Sequence, residues 1–192
     1  MHRPVARVVD LVGDDRQQLW NLSPAEARAK LLSVEPTALL DVAGSFALVA
    51  RDGERVRMAR SLDRPLRYFL AKEVAGPMLV VAERISEIRD FLASCGYEDQ
   101  FHPSYTRMVP AHHVTTLRLI GCPDPNPTYT RFFTPPRATG PADLDALGAA
   151  YVGALAVEIE SFLRTLPTDE PLGVCFSGGA DSGAVLLLVE HL

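Results

Sequence analysis

The chain has 192 residues, of which 47% are hydrophobic, enough to fill the core of one ordinary domain or two small ones and too many for a disordered chain. Lysine and arginine number 19 against 24 aspartates and glutamates, a formal charge of −5, which offers no basic face to nucleic acid. No apolar stretch approaches the ~20 residues that span a bilayer, and Met1-His2-Arg3-Pro4 leads into no signal-peptide hydrophobic region, so a cytoplasmic protein with no membrane partner is expected.

Residues 5–12, Val-Ala-Arg-Val-Val-Asp-Leu-Val, have the composition of a short strand. Ser23-Pro24-Ala25-Glu26 is a capping box with proline at the first helical position, and predicts a helix to about Ser33 that turns Ala27, Leu31 and Leu32 toward a core. From Gly44 the pattern changes to β. Residues 45–50 and 56–60 flank Arg51-Asp52-Gly53-Glu54 and predict a hairpin, and residues 67–70 and 78–82 predict two more strands. Ile85, Ile88, Phe91 and Leu92 recur at helical period with Gly96 placed to end the helix. Residues 113–119 then alternate as a further strand.

Six prolines between Gly121 and Pro141 exclude regular helix and predict a stiff connection. The expected organisation is therefore a domain over 1–120, a linker over 121–141 and a second domain beginning at 142. In that second part Leu144, Leu147, Tyr151, Leu155, Ile159, Phe162 and Leu163 step by three and four along a helix that Pro167 ends. Leu172-Gly173-Val174-Cys175-Phe176 does not alternate, as expected of a strand buried on both faces in a parallel sheet. Residues 183–192, rich in alanine, valine and leucine, predict another helix. Cys95, Cys122 and Cys175 are odd in number and show no CxxC spacing, which argues for reduced thiols over disulfides or a thiolate zinc site.

Between that strand and that helix stands Ser177-Gly178-Gly179-Ala180-Asp181-Ser182. Adjacent glycines admit a ligand close to the main chain, and the helix N-terminus with the Ser177 and Ser182 hydroxyls suits a phosphate. No lysine follows the last glycine, so the loop is not a Walker motif. An aspartate facing phosphate repels it unless a divalent cation lies between, which makes Asp181 a candidate Mg²⁺ ligand. Ser-Gly-Gly is also an ordinary turn; the strand before it and the helix after it favour the phosphate loop.

Ser-Gly-Gly-x-Asp-Ser after an apolar strand resembles the PP-loop of the N-type ATP pyrophosphatases, and the preceding segments resemble the second half of the glutaminase domain of asparagine synthetases. They are 39–49 (Leu-Leu-Asp-Val-Ala-Gly-Ser-Phe-Ala-Leu-Val), 59–68 (Ala-Arg-Ser-Leu-Asp-Arg-Pro-Leu-Arg-Tyr) and 79–83 (Leu-Val-Val-Ala-Glu). Each is weak alone; their order and their distance from the loop make the combination specific, and it covers most of 35–192. The resemblance implies an α+β, antiparallel-layer, partial Ntn-glutaminase-like domain, then the first helix-strand-helix of an α/β adenine-nucleotide hydrolase-like domain. It implies ATP and Mg²⁺ as cofactors, with Ser177, Gly178, Gly179, Asp181, Ser182 and the strand position Cys175 at the nucleotide and Asp181 at the metal. The implied reaction is adenylation of a small-molecule or peptide carboxylate, followed by attack of an amine to form an amide.

Two departures qualify it. Position 2 is His2, where glutamine-hydrolysing members expose a cysteine whose own α-amine serves as base, and the Arg-Gly-Pro and Asn-Gly segments are absent upstream of Leu39. Glutaminase chemistry is therefore expected to be lost, as in β-lactam synthetase and the lasso-peptide cyclases, and no catalytic residue is assigned. A parallel strand also needs neighbours, so the missing synthetase half is expected in cis or in trans and this chain alone is expected to be inactive. The alternative is a non-catalytic binding or assembly module carrying a remnant motif. His112-His113 has no carboxylate or thiolate at ligand spacing and fits strand-end histidines. Asp63-Arg64 and Glu83-Arg84 are expected as turn and helix-start charges.

Overall fold

The computed structural model describes residues 5–120, 126–137, 140, 143–167, 169 and 171–192. His2, Cys122, Pro123, Pro125 and Pro141 lie outside the described residues. The chain divides into two compact units, 1–134 and 135–192.

In the first unit, β1 (Arg7–Asp10) and the two-residue β2 (Gln18–Leu19) precede α1 (Pro24–Leu32). The predicted capping box is present: the Glu26 N–H donates to Ser23 Oγ at 3.3 Å and the Ser23 N–H donates to the Glu26 carboxylate at 2.8 Å. At the other end of α1 the Arg57 guanidinium donates to the carbonyls of Leu32 and Ser33, at 3.3 and 2.7 Å, and satisfies acceptors that the helix leaves open.

The short β3 (Gly44–Ser45) leads to the hairpin of β4 (Ala47–Asp52) and β5 (Arg55–Arg60), whose register pairs Asp52 with Arg55 and leaves Gly53-Glu54 as the turn. Gly53 takes φ +57°, which only glycine enters without a Cβ penalty. Next come β6 (Arg67–Ala71), β7 (Met78–Ala82) and α2 (Ile85–Ser94). The last ends in a Schellman turn, with Gly96 at φ +77° and the Tyr97 N–H donating to Leu92 O at 2.8 Å. Three further strands, β8 (Arg107–Met108), β9 (His113–Arg118) and β10 (Thr128–Arg131), complete the unit.

Two four-stranded sheets result, in the orders β1-β7-β6-β8 and β10-β9-β5-β4, and β2 pairs with β3. All pairings are antiparallel except β1 with β7. Successive side chains on a strand face opposite ways, and this builds three cores in register. Val49, Val56, Met58 and Leu117 of one sheet pack with Tyr68, Leu79 and Val81 of the other. Behind the second sheet, Leu48, Ala50, Ala59 and Val114 meet Ala27 and Leu31 of α1. Behind the first, Phe69, Met78 and Val80 meet Ile88 and Leu92 of α2. The order of layers is helix, sheet, sheet, helix.

One boundary differs from expectation. Thr128-Tyr129-Thr130, with high strand propensity, lies within the expected linker 121–141, and β10 joins the edge of the second sheet through β9. Phe132 follows it into the core behind that sheet, so the first unit extends to Thr134.

In the second unit, α3 (Leu144–Leu163) and α4 (Ala180–His191) form as whole helices. The Asp143 carboxylate accepts the Asp145 N–H at 3.1 Å as the N-cap of α3. Residues 172–176 differ from the expected buried strand: they pair with no strand among the described residues, and Leu172 and Phe176 are 49% and 59% exposed. The reason is geometric, since a strand exists through its ladder and two helices offer none. No described residue of either helix is buried. With 20 residues and a mean hydropathy of 1.5, α3 is long and apolar enough to cross a membrane by length and composition alone, whereas the expectation from sequence is of no apolar stretch approaching that length.

Candidate functional site

The glycine loop opens α4. Gly178 stands at φ +82°, and Gly179 is the N-cap with φ −84° and ψ 163°. A Cβ at Gly178 would meet nothing within 4 Å, and one at Gly179 would lie 3.6 Å from Ser177 Oγ. Glycine is required at 178 by the left-handed backbone and not by crowding.

Its two serines are joined. Ser182 Oγ donates its one proton to Gly179 O at 3.1 Å, so Ser177 Oγ, 3.0 Å away, must be the donor between the two hydroxyls. The Ser177 N–H also donates to Ser182 Oγ, at 3.3 Å. Spacing of five residues folds back on itself here because the turn at Gly178 reverses the chain just before the first turn of α4. No side chain caps the N-terminus of α4, which leaves its first amides as donors for an anion.

Beside the loop lies a cavity of about 440 Å³, lined on the α3 side by Ile159, Phe162 and Leu163, on the α4 side by Asp181, Ser182, Val185 and Val189, and by residues 172–175 between them. It is an apolar chamber with a carboxylate and a hydroxyl at one end. Of the six predicted site residues, Cys175, Asp181 and Ser182 line it, Ser177 is tied to it through Ser182, and Gly178 and Gly179 shape the loop. Cys175 is exposed and forms no disulfide with a described residue.

Asp181 is exposed and its carboxylate makes no hydrogen bond or ion pair to a described residue. Among the described residues no three of His, Cys, Asp and Glu gather to hold a metal ion. A single free carboxylate fits Mg²⁺ in the way that cation is commonly held, through one or two carboxylates together with substrate phosphates and water, and does not fit a site built from protein ligands alone.

A second polar cluster lies in the first unit, where sequence reasoning foresaw separate charges. Arg64 pairs with Glu83, both mostly buried, and its Nη1 donates to Arg16 O at 2.5 Å. Arg16 pairs with Glu87, and Ser45 Oγ donates to Asp63. Burial pushes the Asp63 carboxyl up, but hydrogen bonds from Ser45 and Ser61 outweigh it and hold the group below its ordinary value. Burial likewise works against Glu87, and the Arg16 guanidinium with the Arg84 N–H brings it below its ordinary value. Burial lowers Arg64. Glu83 and Arg84 do stand at a helix start, where the Arg84 N–H donates to Glu87 Oε2 at 3.0 Å. The Arg64–Glu83 pair joins segments distant in sequence and has no local signature.

Among the described residues the histidine pair joins no group of three or more His, Cys, Asp and Glu. His113 begins β9, with Nδ1 2.8 Å from Ala111 O and Nε2 accepting from Arg131 Nε at 3.4 Å. His112 takes φ +61° and packs its ring on Phe132 and Phe133.

Compared with known proteins, the chain matches no protein-family profile and no curated protein. Fold and site define a class: a mixed α+β protein with antiparallel sheets, carrying an open glycine loop at a helix N-terminus.

Proposed function

We propose that the chain is part of an asparagine synthetase-like, ATP-dependent amide-forming ligase without glutaminase chemistry. The observation that carries this reading is the loop: Ser177 and Ser182 hydroxyls 3.0 Å apart, a left-handed Gly178 and uncapped amides at the start of α4. The helix, sheet, sheet, helix order of the first unit supports the finer proposal of a partial Ntn-glutaminase-like domain. The helix, glycine loop, helix order of the second supports that of an adenine-nucleotide hydrolase-like one.

In the proposed reaction, ATP binds with its β- and γ-phosphates on the loop. The amides of the first turn donate to the phosphate oxygens, so that charge building on the leaving pyrophosphate meets donors already in place, and Ser177 Oγ joins them by turning its proton from Ser182 to the phosphate. Asp181 would hold Mg²⁺ against those oxygens and so remove the repulsion between carboxylate and phosphate. A carboxylate substrate attacks the α-phosphorus, pyrophosphate leaves, and an amine then displaces AMP from the acyl-adenylate to form the amide. The missing synthetase half, in cis or in trans, supplies the neighbours of residues 172–176 and the remaining contacts to pyrophosphate.

Substrate-dependent exchange of labelled pyrophosphate into ATP tests the reading. The expected result is exchange when the synthetase half is supplied and none from this chain alone, with Asp181→Asn losing most of the rate, a loss worth several kcal/mol in metal-assisted sites. Formation of ADP in place of AMP, or full exchange with Asp181→Asn, overturns it.

A second reading, a non-catalytic module with a remnant motif, is favoured by the lack of a strand partner for residues 172–176 and by the absence of any group of three or more His, Cys, Asp and Glu, both among the described residues. Binding of Mg²⁺-ATP, measured by calorimetry on the reconstituted protein, separates the two.

A further inference from the structure

No further inference is drawn: the strongest candidate, the apolar surface that α3, residues 172–176 and α4 leave exposed around the glycine loop, belongs to the site already described, and nothing in the structure shows what covers it.

Discussion

The two units use similar apolar residues to opposite ends. In the first, Leu31, Leu48, Met58, Leu79, Ile88 and Leu117 are fully buried between layers that each supply a complementary face. In the second, Leu144, Tyr151, Val157 and Leu187 are between 60% and 80% exposed although their helices are complete. The contrast separates two things that hydrophobic residues do. Backbone hydrogen bonds within a segment close a helix, but burying a leucine, which contributes about 1.5–3 kcal/mol, needs a second surface. A helix and a loop can thus be fully formed while the core that would stabilise them is absent.

Amide hydrogen exchange draws this contrast most sharply. Val80 of β7 and Met58 of β5, in central strands, should exchange only on global opening, at a cost of about 5–15 kcal/mol, whereas Val174 and Phe176 should exchange at nearly the free-peptide rate. Slow exchange at Val174 and Phe176 would erase the difference between the units and require a strand partner for residues 172–176.

Truncation of side chains comes next. Leu79→Ala, between the sheets at 0% exposure, should cost about 2–5 kcal/mol in denaturant unfolding. Leu187→Ala, 66% exposed, should stay within about 0.5 kcal/mol. A large loss at Leu187 would show that α4 is packed in solution.

At the loop, Ser177→Ala removes the hydroxyl that donates to Ser182 and that, under the proposed function, turns to phosphate on binding; it should weaken pyrophosphate binding by the reconstituted protein by about 1–3 kcal/mol without moving the unfolding midpoint of the first unit. Unchanged binding would remove Ser177 from the site.

The smallest effect is a pH dependence confined to the first unit. The folded Glu87 carboxyl ionises more readily than an ordinary glutamate of 4.5, so its contribution is complete above that value and is lost as the pH falls through the lower folded one. Glu87→Gln should flatten that part of the acid unfolding curve by less than about 1 kcal/mol, since the Arg16 side chain opposite is 45% exposed. An unaltered acid limb would mean that the Arg16–Glu87 pair does not hold in solution.

Much of the first unit was legible in the sequence because its signals are local. Ser23 and Glu26 announce a cap within one turn, Gly96 stops α2 where a left-handed residue is needed, and Asp52-Gly53 marks the hairpin. At the glycine loop, the motif foretold a turn leading into a helix, and α4 begins at Ala180, a little before the expected 183. The hydroxyl-to-hydroxyl bond and the apolar cavity beside it were not legible, since both depend on how the chain turns back at Gly178.

By itself the sequence determined, to within a few residues, where helices begin and end, which strands alternate and where a glycine turn leads into α4, because caps, turns and periodicity act over a few residues. Only the tertiary structure decided that the strands form two stacked sheets with a helix on either side, that Thr128–Arg131 is captured by β9, that Arg64 meets Glu83, and that residues 172–176 pair with no strand among the described residues. Each of these depends on a surface supplied from far along the chain, and no short-range signal states whether that surface is there.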